Sequence, residues 1–472
     1  MERKILFRER GNRKMKKVYG IDLGTTNSLI GNGDKLYSKI DPTTGKEKFL
    51  VASIANMQTK EAGNDLKNVY TDSIQRSFKC NMSMGPEGTL SIEASAYVLN
   101  ELKTYVTDDD VEDVIITVPA YFTDNNRQAV RRAAEKCNLN VIRLINEPTA
   151  AATLHNRDKK ALTLVYDLGG GTFDVSLVDN RMGYYEVVTT DGKSIGGDDL
   201  DRAIVEEVLN VANVSKHRMR EGDRALLKDM CERAKIAIQK TGNDYIMSLS
   251  LFKHTGCNNT YTLTADRYKQ LVLSVFSDTF KITDRIRREY IPEGELYDLI
   301  LVGGSSRDPY ITQLMFEKID MIPEPITYNP DELVGRGAAY CAELAEQGKL
   351  DDMIADIVSS PIGIGMADMT VKHLILKDAH LPISEMRPFT NPEDSQQLLL
   401  SVYQGNSKLV ANSQLLGEMK YDYGEVVEAG QGLVNVRLSV DRDGIISLSA
   451  RHGRKKEQKI VLDRKIDITR EK

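Results

Sequence analysis

The sequence predicts an α/β chain built on a doubled unit, followed after about residue 350 by a small antiparallel β unit. Three observations predict it. An apolar strand ending in Asp-Leu-Gly occurs twice. Val18 to Ser28 reads Val-Tyr-Gly-Ile-Asp-Leu-Gly-Thr-Thr-Asn-Ser, and Leu162 to Ser176 reads Leu-Thr-Leu-Val-Tyr-Asp-Leu-Gly-Gly-Gly-Thr-Phe-Asp-Val-Ser. Such a repeat implies two similar βαβ-type halves facing each other across a cleft. Apolar runs alternate with helical patterns up to about residue 350, as parallel sheets require. Beyond that point the period becomes two: Val434, Val436, Leu438 and Val440 alternate with polar residues, Asp443-Gly444 turns the chain, and Ile446, Leu448 and Ala450 alternate on the way back.

At 472 residues the chain exceeds what one core usually supports, so two or more domains are expected. A hydrophobic content of 41% with 28% charged residues fits a water-soluble globular protein, and a net charge of −6 gives no reason to expect nucleic acid as a partner. Cys80, Cys137, Cys231, Cys257 and Cys341 are scattered without a CxxC pair, which points to reduced thiols and neither a disulfide frame nor a zinc site. No apolar run approaches the roughly 20 residues of a membrane helix. The basic start contains only Ile5-Leu6-Phe7 as an apolar core, too short for a signal peptide, so residues 1–14 read as a disordered basic extension, with Met15 an alternative start. The cytosol is the expected compartment.

The glycine turns carry the chemistry. Two strands joined by Gly169-Gly170-Gly171 form a hairpin whose bare backbone lets N–H groups approach an anion, with Thr172 adding a hydroxyl. Carboxylates beside such a turn would repel phosphate unless a divalent cation lay between them, so Asp22 and Asp167 suggest a nucleotide phosphate with Mg²⁺. One such turn reads equally as a tight hairpin; the pair weights the anion reading. No G-x-x-x-x-G-K-[ST] run occurs, which disfavours a P-loop.

In chain order, Phe49 to Met57 reads as a strand and Ser91 to Tyr105 as a helix. Lys79, in Ser-Phe-Lys-Cys, taken alone reads as a solvated lysine. Val114 to Ala120 is a buried-type strand ended by Pro119; Thr123 caps a helix running through Cys137, and Val141 to Ile145 is the next strand. Glu147 lies between that strand and an alanine-rich helix, where α/β sheets place working residues; a surface glutamate is the plain alternative. Gly196-Gly197 opens a helix with acids in its first turn. Glu232 and Lys235 share a helix face and by spacing alone read as a surface ion pair. Leu299 to Arg307 repeats the strand-to-glycine theme and ends in an arginine able to stack on a base. Asp331 to Leu344 is a helix whose small residues permit close packing. Residues 351–358 mix acids and aliphatics without a period and read as a linker.

The motifs IDLGTTNS (21–28), VPAYFTDNNRQA (118–129), INEPTAAA (145–152), YDLGGGTFDVS (166–176), GGDDLD (196–201), ERAKIAI (232–238) and LVGGSSR (301–307) resemble the DnaK-type heat-shock chaperone family, in family order, from Val18 to about Leu462. The region around Lys79 and VYQG (402–405) are similar to its HscC-like branch. The resemblance implies an actin-like, ribonuclease-H-like duplicated ATPase domain over 15–350, a linker over 351–358, a peptide-binding β-sandwich over 359–463 and a charged tail over 464–472. It implies ATP and ADP with Mg²⁺, and K⁺ as a further cation. Carried over by position, Lys79, Glu147, Asp167 and Thr172 are the catalytic candidates. Asp22 and Asp167 hold the metal through water. Gly24, Thr25, Thr26, Asn27, Gly169, Gly170, Gly171, Gly196, Gly197, Glu232, Lys235, Gly303, Gly304, Ser305, Arg307 and Asp331 hold the nucleotide. Pro119 and Arg127 match an interdomain relay, and Met369 and Leu398 the peptide arch and pocket.

Departures from the family pattern matter too. The stretch from Lys79 to Val111 is short, Gln239 stands where the family commonly has serine, and Ala355-Asp356 replace part of a leucine-rich run. The helical lid of the family is not matched, from which fast peptide exchange is expected. The implied partners are unfolded or extended peptides, a J-domain co-chaperone and a nucleotide exchange factor, without nucleic acid or membrane. An actin-like ATPase filament or scaffold and a sugar kinase share the nucleotide fold, but neither needs the terminal β unit.

Overall fold

The computed structural model describes residues 17–461 apart from 42, 43, 84, 85, 221, 327, 454 and 456. The extension expected over 1–14 and the tail expected over 464–472 lie outside the described residues. Two mixed sheets share one strand order. In the first, Val18–Asp22 is central, with Asp113–Val118 and Asn140–Asn146 parallel on one side and the antiparallel Asn27–Asn32 and Lys35–Leu36 on the other. In the second, Leu162–Leu168 is central, with Asp298–Val302 parallel on one side and the antiparallel Phe173–Asp179 and Tyr185–Lys193 on the other. Ile326 bridges in parallel to Ile300 beyond that edge. The two central strands carry Asp22 and Asp167 at or near their carboxyl ends. Loops leaving the carboxyl ends of such strands face a common crevice.

Helices Glu147–His155 and Leu333–Glu346 lie between the sheets and share one apolar core with both, including Ile115, Ile145, Val165 and Ile300. The small residues of the second helix let it cross the first at backbone distance. A Cβ on Gly337 would stand 2.1 Å from the Ala150 carbonyl oxygen. Outside the sheets, Thr89–Lys103 and Asp124–Lys136 cover the first, and Gly197–Val211, Asp223–Thr241 and Ala265–Tyr290 the second. Thr123 and Asn126 form the capping box that starts helix Asp124–Lys136. The run expected as one strand over 49–57 is two short strands, Val51–Ala52 and Ile54–Asn56. The intervening Ser53 turns its hydroxyl to the Gly24 carbonyl.

After residue 358 two four-stranded antiparallel sheets enclose one core. The inward residues of Ser395–Gln404 (Leu398, Leu400, Val402) meet those of Val434–Val440 and Ile446–His452. The period of two read from the sequence is thus the inward face of these strands.

Residues 351–357 pack against the α/β part, while Val358 already belongs to the terminal β core. Ile354–Ala355 adds a strand parallel to Tyr185–Glu186 at the edge of the second sheet, and Ile354, Ile357 and Val358 are buried. Asp356 accepts from Asn146 Nδ2 at 3.1 Å and Thr149 Oγ1 at 3.0 Å. The 441–446 turn lies against the first sheet. Leu144 N–H donates to Asp443 Oδ1 at 2.9 Å, Arg131 pairs with Asp443, and Ile446 N–H donates to Asp124 Oδ1 at 2.7 Å. At a second contact Thr189 and Tyr290 hydroxyls donate to the Asp378 carboxylate at 3.1 and 3.0 Å.

Candidate functional site

A cleft of about 740 Å³ opens between the two halves, lined by both glycine turns. The hairpin forms because Gly169 N–H donates to the Thr172 carbonyl at 2.9 Å, closing the Leu162–Leu168 and Phe173–Asp179 strands. The phosphate-sized end gathers acids around one lysine. Lys79, the residue that reads as solvated when taken alone, is 2% exposed and ion-paired to the buried Glu147. Its pairing partner comes from the start of an interior helix, a contact local sequence cannot signal. Asp22 Oδ1 accepts from Thr117 Oγ1 at 2.9 Å. Asp167 Oδ2 and Asp174 Oδ2 are buried without a hydrogen-bond partner among the described residues.

Burial and the neighbouring charges shift Asp22, Asp167, Asp174 and Lys79. Burial and then Glu147 push Asp22 up to about 7. Burial, with Glu147 and Asp174 adding like charge, holds Asp167 well above the usual carboxylate range, and burial with Glu147 does the same to Asp174. Burial opposes the charge on Lys79, but Glu147 and Asp22 outweigh it and raise its pKa. Such a cluster is short of positive charge. The residues present therefore suit a divalent cation with a phosphate: unpartnered carboxylate oxygen beside turns that expose backbone N–H groups.

The opposite end of the cleft is a half-open slot. Arg307, on the turn after Asp298–Val302, is held by Asp331 at 2.5 Å and Asn329 at 2.6 Å, so its guanidinium plane is fixed at the wall. Glu232, Lys235 and Gln239 line the facing side from helix Asp223–Thr241. Glu232 and Lys235 are not each other's partners: Lys235 pairs with Asp201 at 2.7 Å.

Of the residues expected to bind nucleotide, Gly24, Thr25, Thr26, Asn27, Gly169, Gly170, Gly197, Glu232, Lys235, Gly303, Gly304, Ser305, Arg307 and Asp331 line this one cleft, with Asp22, Lys79, Glu147, Asp167 and Thr172. Gly171 and Gly196 stand behind it. A Cβ on Gly196 would lie 2.5 Å from Gly171 N, so the two turns stack backbone on backbone. Arg127 is buried away from the cleft and donates to Asn146 Oδ1 at 2.7 Å and to the Asp443 carbonyl at 3.3 Å. Pro119 is buried at the start of the turn before that helix. Met369 is 64% exposed at a turn with φ +63°, whereas Leu398 is 5% exposed and packed in the β core. Asp174 escaped the sequence reading as a site residue. Its signal was present: it lies two residues after Thr172, at the start of the strand Phe173–Asp179 that leaves the glycine turn.

Comparison with known proteins gives a consistent picture. The family model described as "Hsp70 protein" matches residues 56–472. The chain is 30% identical over 484 residues to the chaperone protein DnaK of Mycoplasma mobile, covering 96% of this chain and 80% of that protein. It is also 30% identical over 474 residues to the HscA homolog of Burkholderia multivorans, covering 92% of this chain and 76% of that protein.

Proposed function

Because the chain belongs to the Hsp70 family, and is thus an ATP-hydrolysing chaperone, we propose that the cleft between the two sheets binds ATP with Mg²⁺ and that the terminal β unit is its peptide-binding sandwich. The carrying observation is the cluster of Asp22, Glu147, Asp167 and Asp174 around the buried Lys79, with Asp167 Oδ2 unpartnered among the described residues. The shared strand order of the two sheets supports a duplicated actin-like domain over 15–350. The common core of the terminal sheets supports a sandwich over 359–463.

Bound Mg²⁺·ATP supplies the scissile phosphoryl group and the positive charge the cluster lacks. The protein's own part is positioning and charge neutralisation, which phosphoryl transfer to water needs more than covalent help. Asp22 and Asp167 are the carboxylates that would hold Mg²⁺ through its waters. Thr25, Thr26, Thr172 and the Gly169-Gly170 backbone donate to phosphate oxygens. Lys79 offers a buried, fixed ammonium to charge developing on the γ-phosphoryl group and orients water there, while Glu147 holds its Nζ in place. Glu232 and Lys235 take the ribose, and Arg307 stacks on the base. Burial of Lys79 and Glu147 keeps bulk solvent from the reacting end. Arg127, touching both Asn146 beside Glu147 and the 441–446 turn, gives the cleft a direct path to the β unit. The test is phosphate release from ATP with and without Mg²⁺: turnover requires the metal, and metal-independent turnover at the same rate overturns the assignment of Asp22 and Asp167. J-domain and exchange-factor partners are part of the same proposal.

A further inference from the structure

At the base end of the cleft, one polar side chain is oriented by a buried carboxylate of the cleft wall and by a tyrosine hydroxyl behind it. Gln239 donates Nε2–H to Asp308 Oδ2 at 3.0 Å and to the Tyr268 hydroxyl oxygen at 2.8 Å. Tyr268 in turn donates its hydroxyl hydrogen to Asp308 Oδ2 at 2.5 Å, and Asp308 Oδ1 accepts Tyr310 N–H at 3.0 Å. The Asp308 carboxylate is an acceptor only and engages the Tyr268 hydroxyl hydrogen, so turning the amide over would set its oxygen against Asp308 Oδ2. The amide can sit only one way. Its Oε1 makes no hydrogen bond among the described residues, while Gln239 lines the cleft beside Ile236, Gly304 and Arg307.

We propose that Gln239 is a specificity-determining residue: its Oε1, locked outward by Asp308 and Tyr268, is a fixed acceptor that selects a nucleotide base carrying an exocyclic amine over one carrying a carbonyl at that edge. This rests on the nucleotide reading of the cleft. An amine meets the acceptor with a hydrogen bond, whereas a carbonyl leaves two lone pairs facing and both groups desolvated. A serine here would lack this bias, because a hydroxyl rotates to donate or accept.

ATP and ITP share ribose and phosphates and differ at the base edge, amine against carbonyl with a bare N1 against N1–H beside it, so equilibrium binding of each by calorimetry, with Mg²⁺ and the full chain and compared with the variants below, reads the effect. The unmodified protein binds ATP about tenfold more tightly than ITP. Gln239→Met, which keeps length and removes the acceptor, brings the two affinities within about threefold; an unchanged ratio overturns the proposal. Asp308→Asn leaves Gln239 in place but lets the amide turn over, and brings the ratio to about one or below. A ratio unchanged in that variant overturns the locking argument even if Gln239→Met does not fold. Equal affinity for ATP and ITP in the unmodified protein also overturns it. Failure to bind either nucleotide sinks the reading of the cleft instead, so the two failures are distinguishable.

Discussion

Replacing Lys79 separates what the buried cluster does for stability from what it does for chemistry. Among the described residues Lys79 is the ammonium paired to Glu147 inside the cluster with Asp22, Asp167 and Asp174, so Lys79→Met leaves the buried Glu147 carboxylate without its ion-pair partner. Breaking a buried ion pair by removing one partner costs about 3–5 kcal/mol, so the nucleotide-free variant unfolds at markedly lower denaturant than the parent. Adding Glu147→Gln removes the orphaned charge and recovers most of that loss. Turnover behaves differently. Loss of one preorganised charge aimed at the transition state costs about 10²–10³ in rate, and neutralising Glu147 does nothing to restore it. The assay pairs denaturant unfolding without nucleotide with single-turnover phosphate release, alongside ATP binding by calorimetry to show that the site still fills. A stable double variant that hydrolyses ATP at the parent rate refutes the catalytic role of Lys79.

Two further outcomes are expected. Asp124 holds the Ile446 N–H, and burial pushes its carboxyl up to about 7, above the ordinary value of about 3.9. Docking of the β unit therefore takes up a proton, and this contribution is full below about 3.9 and lost as pH rises through about 7. Protease cleavage within 351–358 thus accelerates between about pH 6 and 8 in the parent, and Asp124→Asn, which keeps the acceptor oxygen, removes that dependence; parallel profiles contradict it. Gly337→Ala places a Cβ against the Ala150 carbonyl and lowers stability by about 1–3 kcal/mol, read as an earlier denaturation midpoint; an unshifted midpoint contradicts the packing argument.

What the sequence made legible follows from where physical constraints are local. The two Asp-Leu-Gly turns stood out because close backbone approach demands glycine in a short run, and their strands, Val18–Asp22 and Leu162–Leu168, are the centres of the two sheets. The alternation through Val434 to Ala450 was readable because a strand with one buried face repeats every two residues. Lys79 was not readable from its own surroundings, since its burial depends on Glu147, 68 residues away. The 351–358 segment showed no period because its strand is two residues long, added to an edge, with Asp356 satisfied by Asn146 and Thr149. Leu398 illustrates a finer limit: the alternation that put it inward with Leu400 and Val402 leaves its neighbour Leu399 51% exposed, and the period alone does not say which face meets a peptide.

Arg127, Asp356 and Asp443 lie between the first sheet and the β unit, and the proposed coupling of peptide binding to ATP hydrolysis runs through them. Single-turnover ATP hydrolysis, measured with and without saturating unfolded peptide, tests it most directly. Peptide, by displacing the 441–446 turn from the first sheet, is expected to raise the rate several-fold. A rate unchanged by a peptide shown to bind contradicts it.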